Sequence, residues 1–252
     1  MGKTALITGA TSGIGKACAT ILAKNNYDLI ITGRRNERLQ ELKLQLEKEC
    51  QTQITTLCFD VRNREETINS LSSLNNNQKK VNLLINNAGL AVGINPIDQG
   101  DFEDWDRMID TNVTGLLNVS KTVIPWLKES ENPHIINIGS IAGKEVYPNG
   151  NVYCASKHAV DAISKAMRLD LVRHNIKVTN IAPGLVETEF SNVRFYGDKE
   201  KADQVYVGMD PLTPEDIADT IWFCASRPVH VNIADVLILP AAQANSVTVI
   251  RK

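Results

Sequence analysis

The stretch Thr4-Ala5-Leu6-Ile7-Thr8-Gly9-Ala10-Thr11-Ser12-Gly13-Ile14-Gly15 decides the fold class of this 252-residue chain. An apolar run of strand type leads into a turn with three glycines, and an amphipathic stretch follows from residue 14 to residue 25. Glycines let a backbone turn tightly and approach a phosphate group, and the free N–H groups of a helix N-terminus bind such an anion. The pattern therefore predicts a phosphate-binding turn, although a plain tight turn has the same composition. A P-loop is excluded, because no Lys-Ser or Lys-Thr pair follows Gly15.

Strand-like and helix-like stretches alternate along the rest of the chain. Nearly continuous apolar runs, typical of strands that are covered on both faces, occur at 4–8, 28–32, 54–59, 81–86, 134–139, 177–182 and 234–239. Amphipathic stretches with helical spacing lie between them at 14–25, 37–50, 64–74, 104–129, 151–173 and 213–226. This alternation predicts an α/β fold: one doubly wound parallel sheet with helices on both faces, in a single domain.

Charge and composition exclude several classes of function. Lys and Arg number 27 and Asp and Glu number 29, so the net charge of −2 gives no general attraction to nucleic acid or anionic lipid. No apolar run reaches the roughly 18–20 residues that span a bilayer. The first residues run directly into a predicted strand, and the five cysteines form no CxxC pair. We therefore expect a cytoplasmic protein with reduced thiols, no membrane or nucleic-acid partner and, since the four histidines form no ligand array, no metal site.

Two arginines follow the second predicted strand, in Ile31-Thr32-Gly33-Arg34-Arg35. Folds of this kind that bind NAD place a carboxylate about 20 residues after the Gly-rich turn, where it binds the ribose 2′-OH. A guanidinium in that place binds a 2′-phosphate instead. Arg34 and Arg35 therefore predict NADP rather than NAD. The alternative is a solvated basic turn, although a cation at a helix N-terminus opposes the helix dipole.

The next two strands end in residues that suit the nucleoside parts of such a cofactor. Asp60 and Val61 follow the third strand, where the carboxylate can accept a hydrogen bond from adenine and the valine can pack on its ring. Asn87, Ala88 and Gly89 follow the fourth strand and leave room for a ribose. Each motif also has an ordinary structural explanation, since Asp at a strand end and Asn-Gly turns are common.

A candidate catalytic group follows the fifth strand. Ser140 closes that strand, and Tyr153 and Lys157 lie 13 and 17 residues further on. On a helix, residues i and i+4 share one face, so the Tyr153 hydroxyl and the Lys157 ammonium would flank one volume. A neighbouring cation lowers the pKa of a phenol from about 10 toward the range of acid–base catalysis. Ser140 can then donate to a substrate carbonyl, although Tyr-Lys pairs at this spacing also occur on helix surfaces.

These motifs together resemble the short-chain dehydrogenase/reductase family. The chain has its TGxxxGxG turn, its NNAG motif at residues 86–89, its Ser and Tyr-x-x-x-Lys arrangement, and Pro183-Gly184 after the sixth strand. The resemblance covers nearly the whole chain and implies one Rossmann-like domain over residues 1–252 with a seven-stranded parallel sheet. It also implies that Tyr153 is the general acid/base and that Lys157 lowers its pKa and holds the nicotinamide ribose. Ser140 would position the substrate oxygen, and Asn112, at the opening of a helix, would hold a water molecule that links Lys157 to solvent.

The resemblance implies a set of contacts with NADP(H). The expected cofactor-binding residues are Gly9, Thr11, Ser12, Gly13, Ile14, Gly15, Arg34, Arg35, Asp60, Val61, Asn87, Ala88, Gly89, Tyr153, Lys157, Pro183, Gly184, Val186 and Thr188. Thr188 matches the position that binds the nicotinamide carboxamide.

Within the family, the chain is similar to NADP-dependent dehydrogenases of small 3-hydroxy acids such as serine, allo-threonine and 3-hydroxypropionate. Four stretches carry this likeness, and one of them is Glu187-Thr188-Glu189-Phe190-Ser191-Asn192-Val193-Arg194-Phe195. Such a substrate needs a cation for its carboxylate, and we expect Arg194 to supply it from residues 185–210, a loop predicted to close over substrate. Arg194 can instead tie that loop to the body or to another subunit, and Lys144 is the alternative cation.

Two further expectations concern assembly and competing functions. The stretches 104–129 and 151–173 match the helices through which the family forms dimers and tetramers, and 151–173 has more apolar surface than one buried face needs. We therefore expect a homodimer or homotetramer. The alternative functions are an NADPH-dependent carbonyl, sugar or 3-ketoacyl reductase and, more distantly, a non-catalytic NADP-binding sensor.

Overall fold

A computed structural model describes residues 2–252, and a seven-stranded sheet lies at its centre. The strands are β1 (Lys3–Ile7), β2 (Tyr27–Gly33), β3 (Ile54–Cys58), β4 (Leu83–Asn86), β5 (His134–Ile138), β6 (Lys177–Pro183) and β7 (Asp235–Ile238). Every neighbouring pair is parallel, in the order β3-β2-β1-β4-β5-β6-β7. The predicted doubly wound parallel sheet is confirmed, and each strand overlaps its predicted position.

Nine α-helices lie among the described residues. They are α1 (Gly13–Lys24), α2 (Asn36–Glu49), α3 (Arg64–Ser72), α4 (Phe102–Ile109), α5 (Leu116–Lys128), α6 (Asn151–Leu171), α7 (Phe190–Arg194), α8 (Lys199–Gln204) and α9 (Pro214–Ala225). Within the part of the chain that the structure describes, no helix is both long and apolar enough to cross a bilayer.

The sheet is buried on both faces because consecutive strand residues point to opposite sides. On β1, Ile7 packs in one hydrophobic cluster with α1, α2 and α9, whereas Leu6 packs in another with α3, α5 and α6. Both side chains are fully buried. Burial of such a side chain contributes about 1.5–3 kcal/mol relative to exposure. The continuous apolar runs of the sequence are thus explained by helices on both faces.

The predicted helix 104–129 is not one continuous α-helix. Residues Asp110–Gly115 form a π-helical turn between α4 and α5. Asn112 therefore lies inside a long helical segment, and the expectation that it opens a helix is wrong. The extra residue of a π turn cannot be read from apolar periodicity, since the apolar positions continue on both sides of it. Such turns often occur at functional sites.

The carboxyl ends of the strands form one edge of the sheet, and the chain leaves β1 between β2 and β4. The connections after neighbouring strands diverge at such a switch point and open a crevice beside it. The Gly-rich turn after β1 lies at this crevice. Residues 185–210, predicted as an unpatterned loop, contain the short helices α7 and α8 and are joined to the body where Val186 pairs with Leu212.

Candidate active site

The turn after β1 is folded so tightly that two of its glycines have no room for a side chain. Gly9 has a φ of 67°, in the left-handed region that favours glycine. A Cβ atom on Gly15 would stand 2.3 Å from the carbonyl oxygen of Gly9. The Asn87 amide donates to the carbonyl oxygens of Thr8 and Gly9 at 2.9 and 3.1 Å and fixes the turn against the end of β4. With α1 beginning at Gly13, the turn fits a pyrophosphate group.

A cleft of about 630 Å³ runs along the carboxyl edge of the sheet. It is lined by every residue that we predicted for the cofactor, the catalytic group and the substrate carboxylate, with the exception of Gly15, Asn112 and the alternative cation Lys144. Gly15 is buried beneath the turn, and Asn112 is buried behind Gly89. The structure therefore gathers residues from seven separate stretches of sequence at one site.

Arg35 reaches the Gly-rich turn from the end of β2. Its Nε and Nη2 donate to Thr11 Oγ1 at 3.2 and 2.8 Å, and Nη2 also donates to Ser12 Oγ at 2.8 Å. Its Nη1 donates to a carboxylate oxygen of Glu189 at 2.9 Å. Beside it the Arg34 side chain is 57% exposed and faces the same cleft. This end of the cleft offers guanidinium donors to an anionic group, as the 2′-phosphate of NADP requires.

The Asp60 carboxylate is already engaged by arginines. Arg62 donates to it through Nε at 3.0 Å and Nη2 at 2.7 Å, and Arg34 lies 3.8 Å away. Burial works to raise the pKa of Asp60, but these hydrogen bonds and charges outweigh it and the pKa is lowered. Asp60 and Val61 line the cleft as expected. The sequence reasoning did not include Arg62, which holds the Asp60 carboxylate in place.

Tyr153 lies in the first turn of α6, and the Ser140 side chain at the end of β5 lies close enough to its hydroxyl to lower the pKa of the phenol. The Tyr153 ring is buried, and the Phe190 ring packs edge-on against it with 5.7 Å between the ring centres. Burial raises the pKa of the phenol above its ordinary value of 10, and the neighbouring Tyr147 adds to this. The hydrogen bond from Ser140 and the charge of Arg194 act in the opposite direction.

Lys157 lies one turn further along α6 and is also buried. Its Nζ donates to the carbonyl oxygen of Ile138 at 2.9 Å. Burial lowers the pKa of Lys157 from 10.5 to about 8. The expectation that Lys157 lowers the pKa of Tyr153 stays a prediction; burial raises that pKa in this structure, and Arg194 supplies one opposing cation. Burial removes water from both groups, and the ammonium is directed at the carbonyl oxygen of Ile138.

The Asn112 side chain lies behind Gly89. Its Oδ1 accepts from the Leu90 backbone N–H at 2.8 Å, and its amide nitrogen donates to Leu90 O at 2.8 Å and Ser156 Oγ at 2.9 Å. A Cβ on Gly89 would stand 3.2 Å from Asn112 Oδ1 and 3.5 Å from Lys157 Nζ. The two groups therefore flank the same small space beside Gly89. The water-holding role of Asn112 stays a prediction.

Arg194 ends α7 and lies above Tyr153, the candidate acid/base. Its guanidinium carbon is 5.4 Å from the centre of the Tyr147 ring and 5.9 Å from that of Tyr153. Its Nη2 donates to the Tyr147 hydroxyl at 3.0 Å, and its carbonyl oxygen accepts from Gly93 N–H at 3.0 Å. Its Nε is buried and has no hydrogen-bond partner among the described residues. A buried donor without an acceptor costs free energy and favours an anion that supplies one.

Lys144, the alternative cation for a substrate carboxylate, is engaged elsewhere. Its Nζ forms ion pairs with Asp161 and, at 2.7 Å, with Asp235, and it does not line the cleft. These contacts favour Arg194 over Lys144 as the cation for a substrate carboxylate. The sequence could not show this, because Asp161 and Asp235 lie 17 and 91 residues away from Lys144.

The 185–210 segment covers the cleft beside the Gly-rich turn. Pro183, Gly184 and Val186 line the cleft where β6 ends. The Thr188 side chain comes within 3.2 Å of the point where a Cβ on Gly13 would stand. Thr188 is therefore placed where the first turn of α1 meets the expected nicotinamide end.

Sequence reasoning missed three residues of the site. Tyr147 lines the cleft and binds Arg194, Glu189 binds Arg35, and Gln243 accepts from Leu185 N–H at 2.9 Å. An aromatic residue in the polar loop between Ser140 and Tyr153 was an available signal for Tyr147. No local signal marked Glu189 or Gln243, because their partners lie more than 50 residues away.

The crevice at the switch point, the phosphate-binding turn and the Ser-Tyr-Lys group define a dinucleotide-dependent oxidoreductase. The profile of the short chain dehydrogenase family matches residues 3–197. The chain belongs to the short-chain dehydrogenase family, as its motifs indicated.

Relatives of known name span nearly the full chain. The NADP-dependent 3-hydroxy acid dehydrogenase YdfG of Salmonella typhi is 45% identical over 240 residues, which cover 95% of each chain. An NADP-dependent 3-hydroxy acid dehydrogenase of Schizosaccharomyces pombe is 42% identical over 252 residues, covering 100% of this chain and 97% of its own. The closed form of a serine dehydrogenase complexed with NADP⁺ superposes with a TM-score of 0.91 at 43% identity, covering 99% of each chain.

Proposed function

We propose that this enzyme transfers hydride between NADP(H) and the 3-hydroxyl carbon of a small 3-hydroxy acid. The expected substrates are serine, allo-threonine and 3-hydroxypropionate, with malonic semialdehyde in the reducing direction. The cofactor choice is supported by Arg34 and Arg35 at the end of β2 and by the relatives named above. The substrate class is supported by Arg194.

The position of Arg194 is the observation that carries the substrate proposal. A cation with an unpartnered buried Nε lies over the ring of Tyr153, the candidate acid/base. A carboxylate bound there would satisfy this donor and form a charge-assisted pair. In a 3-hydroxy acid the carbinol carbon is separated from the carboxylate by one carbon, so a carboxylate held by Arg194 leaves the hydroxyl within reach of Tyr153.

The residues of the chain handle the proton and the orientation of the substrate. Bound NADP supplies the acceptor for hydride from the carbinol carbon. Tyr153 as the phenolate takes the hydroxyl proton, and Ser140 donates to the substrate oxygen. Lys157 and Asn112, which face the space beside Gly89, return the proton to solvent through water. In the reducing direction the same groups act in reverse order.

A substrate panel tests this function. NADPH formation is followed at 340 nm with L-serine, L-allo-threonine, 3-hydroxypropionate, 3-hydroxybutyrate and a sugar alcohol, each with NADP and with NAD. We expect the highest kcat/KM with NADP and a 3-hydroxy acid. Activity with NAD alone would overturn the cofactor assignment, and activity only with uncharged alcohols would overturn the substrate class.

The variant Arg194→Ala tests the carboxylate contact. Loss of a charge-assisted pair predicts a fall of about 100-fold in kcat/KM for serine. The fall should be much smaller for an uncharged secondary alcohol, which loses only the effect of the Arg194 charge on the pKa of Tyr153. Arg227→Ala is the matched control, since Arg227 packs on Phe223 of α9 and does not line the cleft. An equal loss with both substrates would remove the carboxylate role.

The protein is further proposed to assemble into a homodimer or homotetramer through residues 104–129 and 151–173. Both segments expose large apolar side chains, among them Leu117 at 44% and Leu169 at 78% exposure. Exposed apolar groups of this size on neighbouring helices favour contact with a second copy. Multi-angle light scattering gives the mass in solution, and a strictly monomeric enzyme would contradict the proposal.

A further inference from the structure

Glu189 connects the 185–210 segment to the start of α2. Its Oε2 accepts from Arg35 Nη1 at 2.9 Å and its Oε1 accepts from Arg38 Nη1 at 2.7 Å. These partners lie 154 and 151 residues away in the sequence. One carboxylate thus takes two guanidinium groups and closes the 185–210 segment onto the end of the cleft that holds the adenosine side of the cofactor.

Arg35 holds Glu189 with one edge and the Gly-rich turn with the other. Nη1 faces Glu189, whereas Nε and Nη2 face the hydroxyls of Thr11 and Ser12. Neutral hydroxyls are weaker acceptors than a phosphate. When a phosphate replaces the two hydroxyls as the acceptor, Arg35 keeps its contact with Glu189, and its side chain becomes less mobile.

The local charge allows the Glu189 carboxylate and a 2′-phosphate to be bound at the same time. Four cations, Arg34, Arg35, Arg38 and Arg62, face the two carboxylates Asp60 and Glu189, an excess of two positive charges. Burial works to raise the pKa of Glu189, but its two arginine partners outweigh this and lower it. Glu189 is therefore ionised throughout the neutral range.

We propose that Glu189 is a positioning residue, a role that rests on the proposed use of NADP. When Arg35 binds the 2′-phosphate of the cofactor, its contact with Glu189 holds the 185–210 segment closed over the substrate. Thr188 is its neighbour, and Arg194 lies five residues further on in the same segment. The contact therefore links the group that distinguishes NADP from NAD to the residues expected at the nicotinamide and the substrate carboxylate.

Cofactor fragments separate this coupling from simple occupancy of the active site. Adenosine 2′,5′-bisphosphate carries the 2′-phosphate but no nicotinamide, and 5′-AMP lacks the 2′-phosphate. We expect the bisphosphate, but not 5′-AMP, to slow proteolytic cleavage within residues 185–210 of the full chain. The slowing should be about fivefold, a ratio typical of ion pairs of modest strength. In Glu189→Gln and Arg38→Ala it should be lost, and the double variant should be no worse than either single one.

Asp198→Asn is the matched control, because Asp198 lies in the same segment, its salt bridge is with Lys201 of α8 rather than with an arginine at the start of α2, and Asn keeps the N-cap of α8. This variant should keep the protection. Faster cleavage of the wild type with the bisphosphate, or equal protection in Glu189→Gln, would overturn the inference. Failure of the proposed function is distinguished by NADPH fluorescence titration: if the wild type does not bind NADPH, the cofactor assignment itself is wrong, whereas NADPH binding without protection refutes only the role of Glu189.

Discussion

The hydroxyl of Tyr147 accepts a hydrogen bond from Arg194 Nη2 at 3.0 Å, so the cation above Tyr153 is held by a residue of the loop that follows Ser140. Tyr147 also packs its ring against the guanidinium, with 5.4 Å between the ring centre and Cζ. The hydrogen bond fixes the direction of the guanidinium, and the ring fixes its height above Tyr153. The two contributions can be separated by removing the hydroxyl alone.

The variant Tyr147→Phe keeps the ring and removes the acceptor. We expect KM for L-serine to rise about three- to tenfold, the effect of losing one hydrogen bond to a charged group, with kcat nearly unchanged. The change should be smaller with an uncharged secondary alcohol, since that substrate has no carboxylate for Arg194 to bind. Steady-state measurements with both substrates test this, and an equal change in both would show that Tyr147 acts only on packing.

Cofactor preference should depend on Arg34. Its side chain is 57% exposed at the cleft and lies 3.8 Å from Asp60, so its removal leaves the fold intact. Arg34→Ala should raise KM for NADP about 10- to 100-fold, as expected for one charge-assisted contact with a phosphate. KM for NAD should stay within about twofold, because NAD has no 2′-phosphate. Kinetics with both cofactors decide the matter, and a parallel loss for NADP and NAD would show that Arg34 does not read the 2′-phosphate.

The fold was predictable because its determinants are local. The apolar runs of β1 to β7 can be read within windows of a few residues, and the structure has all seven strands. The π turn within the predicted helix 104–129 was not predictable from the sequence, and its residue Asn112 bonds with Leu90 and Ser156, which lie far from it in the chain. Such contacts join parts of the chain that no sequence window contains.

The same division holds for the site. Motif residues such as Ser140 and Tyr153 were found because spacing and chemistry mark them. The direction in which the pKa of Tyr153 shifts could not be predicted from the sequence. This pKa rises with burial, and the burial of Tyr153 depends on the packing of Phe190 and its neighbours rather than on spacing. The sequence left Lys144 open as the alternative to Arg194 for a related reason, since its two carboxylate partners, Asp161 and Asp235, are distant in the sequence.

The oxidation rate should rise with pH. Only the phenolate of Tyr153 accepts the substrate proton, and burial raises the pKa of this group above 10, so the active fraction grows as pH increases. The hydrogen bond from Ser140 lowers this pKa, and Ser140→Ala should therefore lower kcat/KM and shift the rise to higher pH. Profiles of kcat/KM between about pH 7 and 10.5 with saturating NADP test this. If the two profiles differ only by a constant factor, Ser140 orients the substrate without supporting the phenolate.

Lys157 should be a residue that the fold keeps at a cost in stability. In the folded protein it releases its proton near pH 8, and its ordinary pKa is 10.5. Below pH 8 both states are protonated and burial of the charge destabilises the fold in full. Between pH 8 and 10.5 the unfolded chain binds more protons, so stability rises with pH until the cost has disappeared. Lys157→Met should therefore abolish activity and yet raise the free energy of unfolding at pH 7 by about 1–3 kcal/mol, after allowance for the lost hydrogen bond to Ile138.

The gain in stability from Lys157→Met should decrease as the pH rises. Denaturant titrations of the wild type and Lys157→Met should show the largest difference at pH 7 and almost none at pH 10.5, the ordinary pKa of lysine. Lys165→Met on the same helix is the matched control, because the Lys165 side chain is 59% exposed and pairs with Asp161. This control should change stability by less than about 0.5 kcal/mol at any pH and leave activity intact. A Lys157→Met protein that is less stable than the wild type at pH 7 would show instead that the ammonium and its bond to Ile138 stabilise the end of β5, and that the site carries no cost in stability.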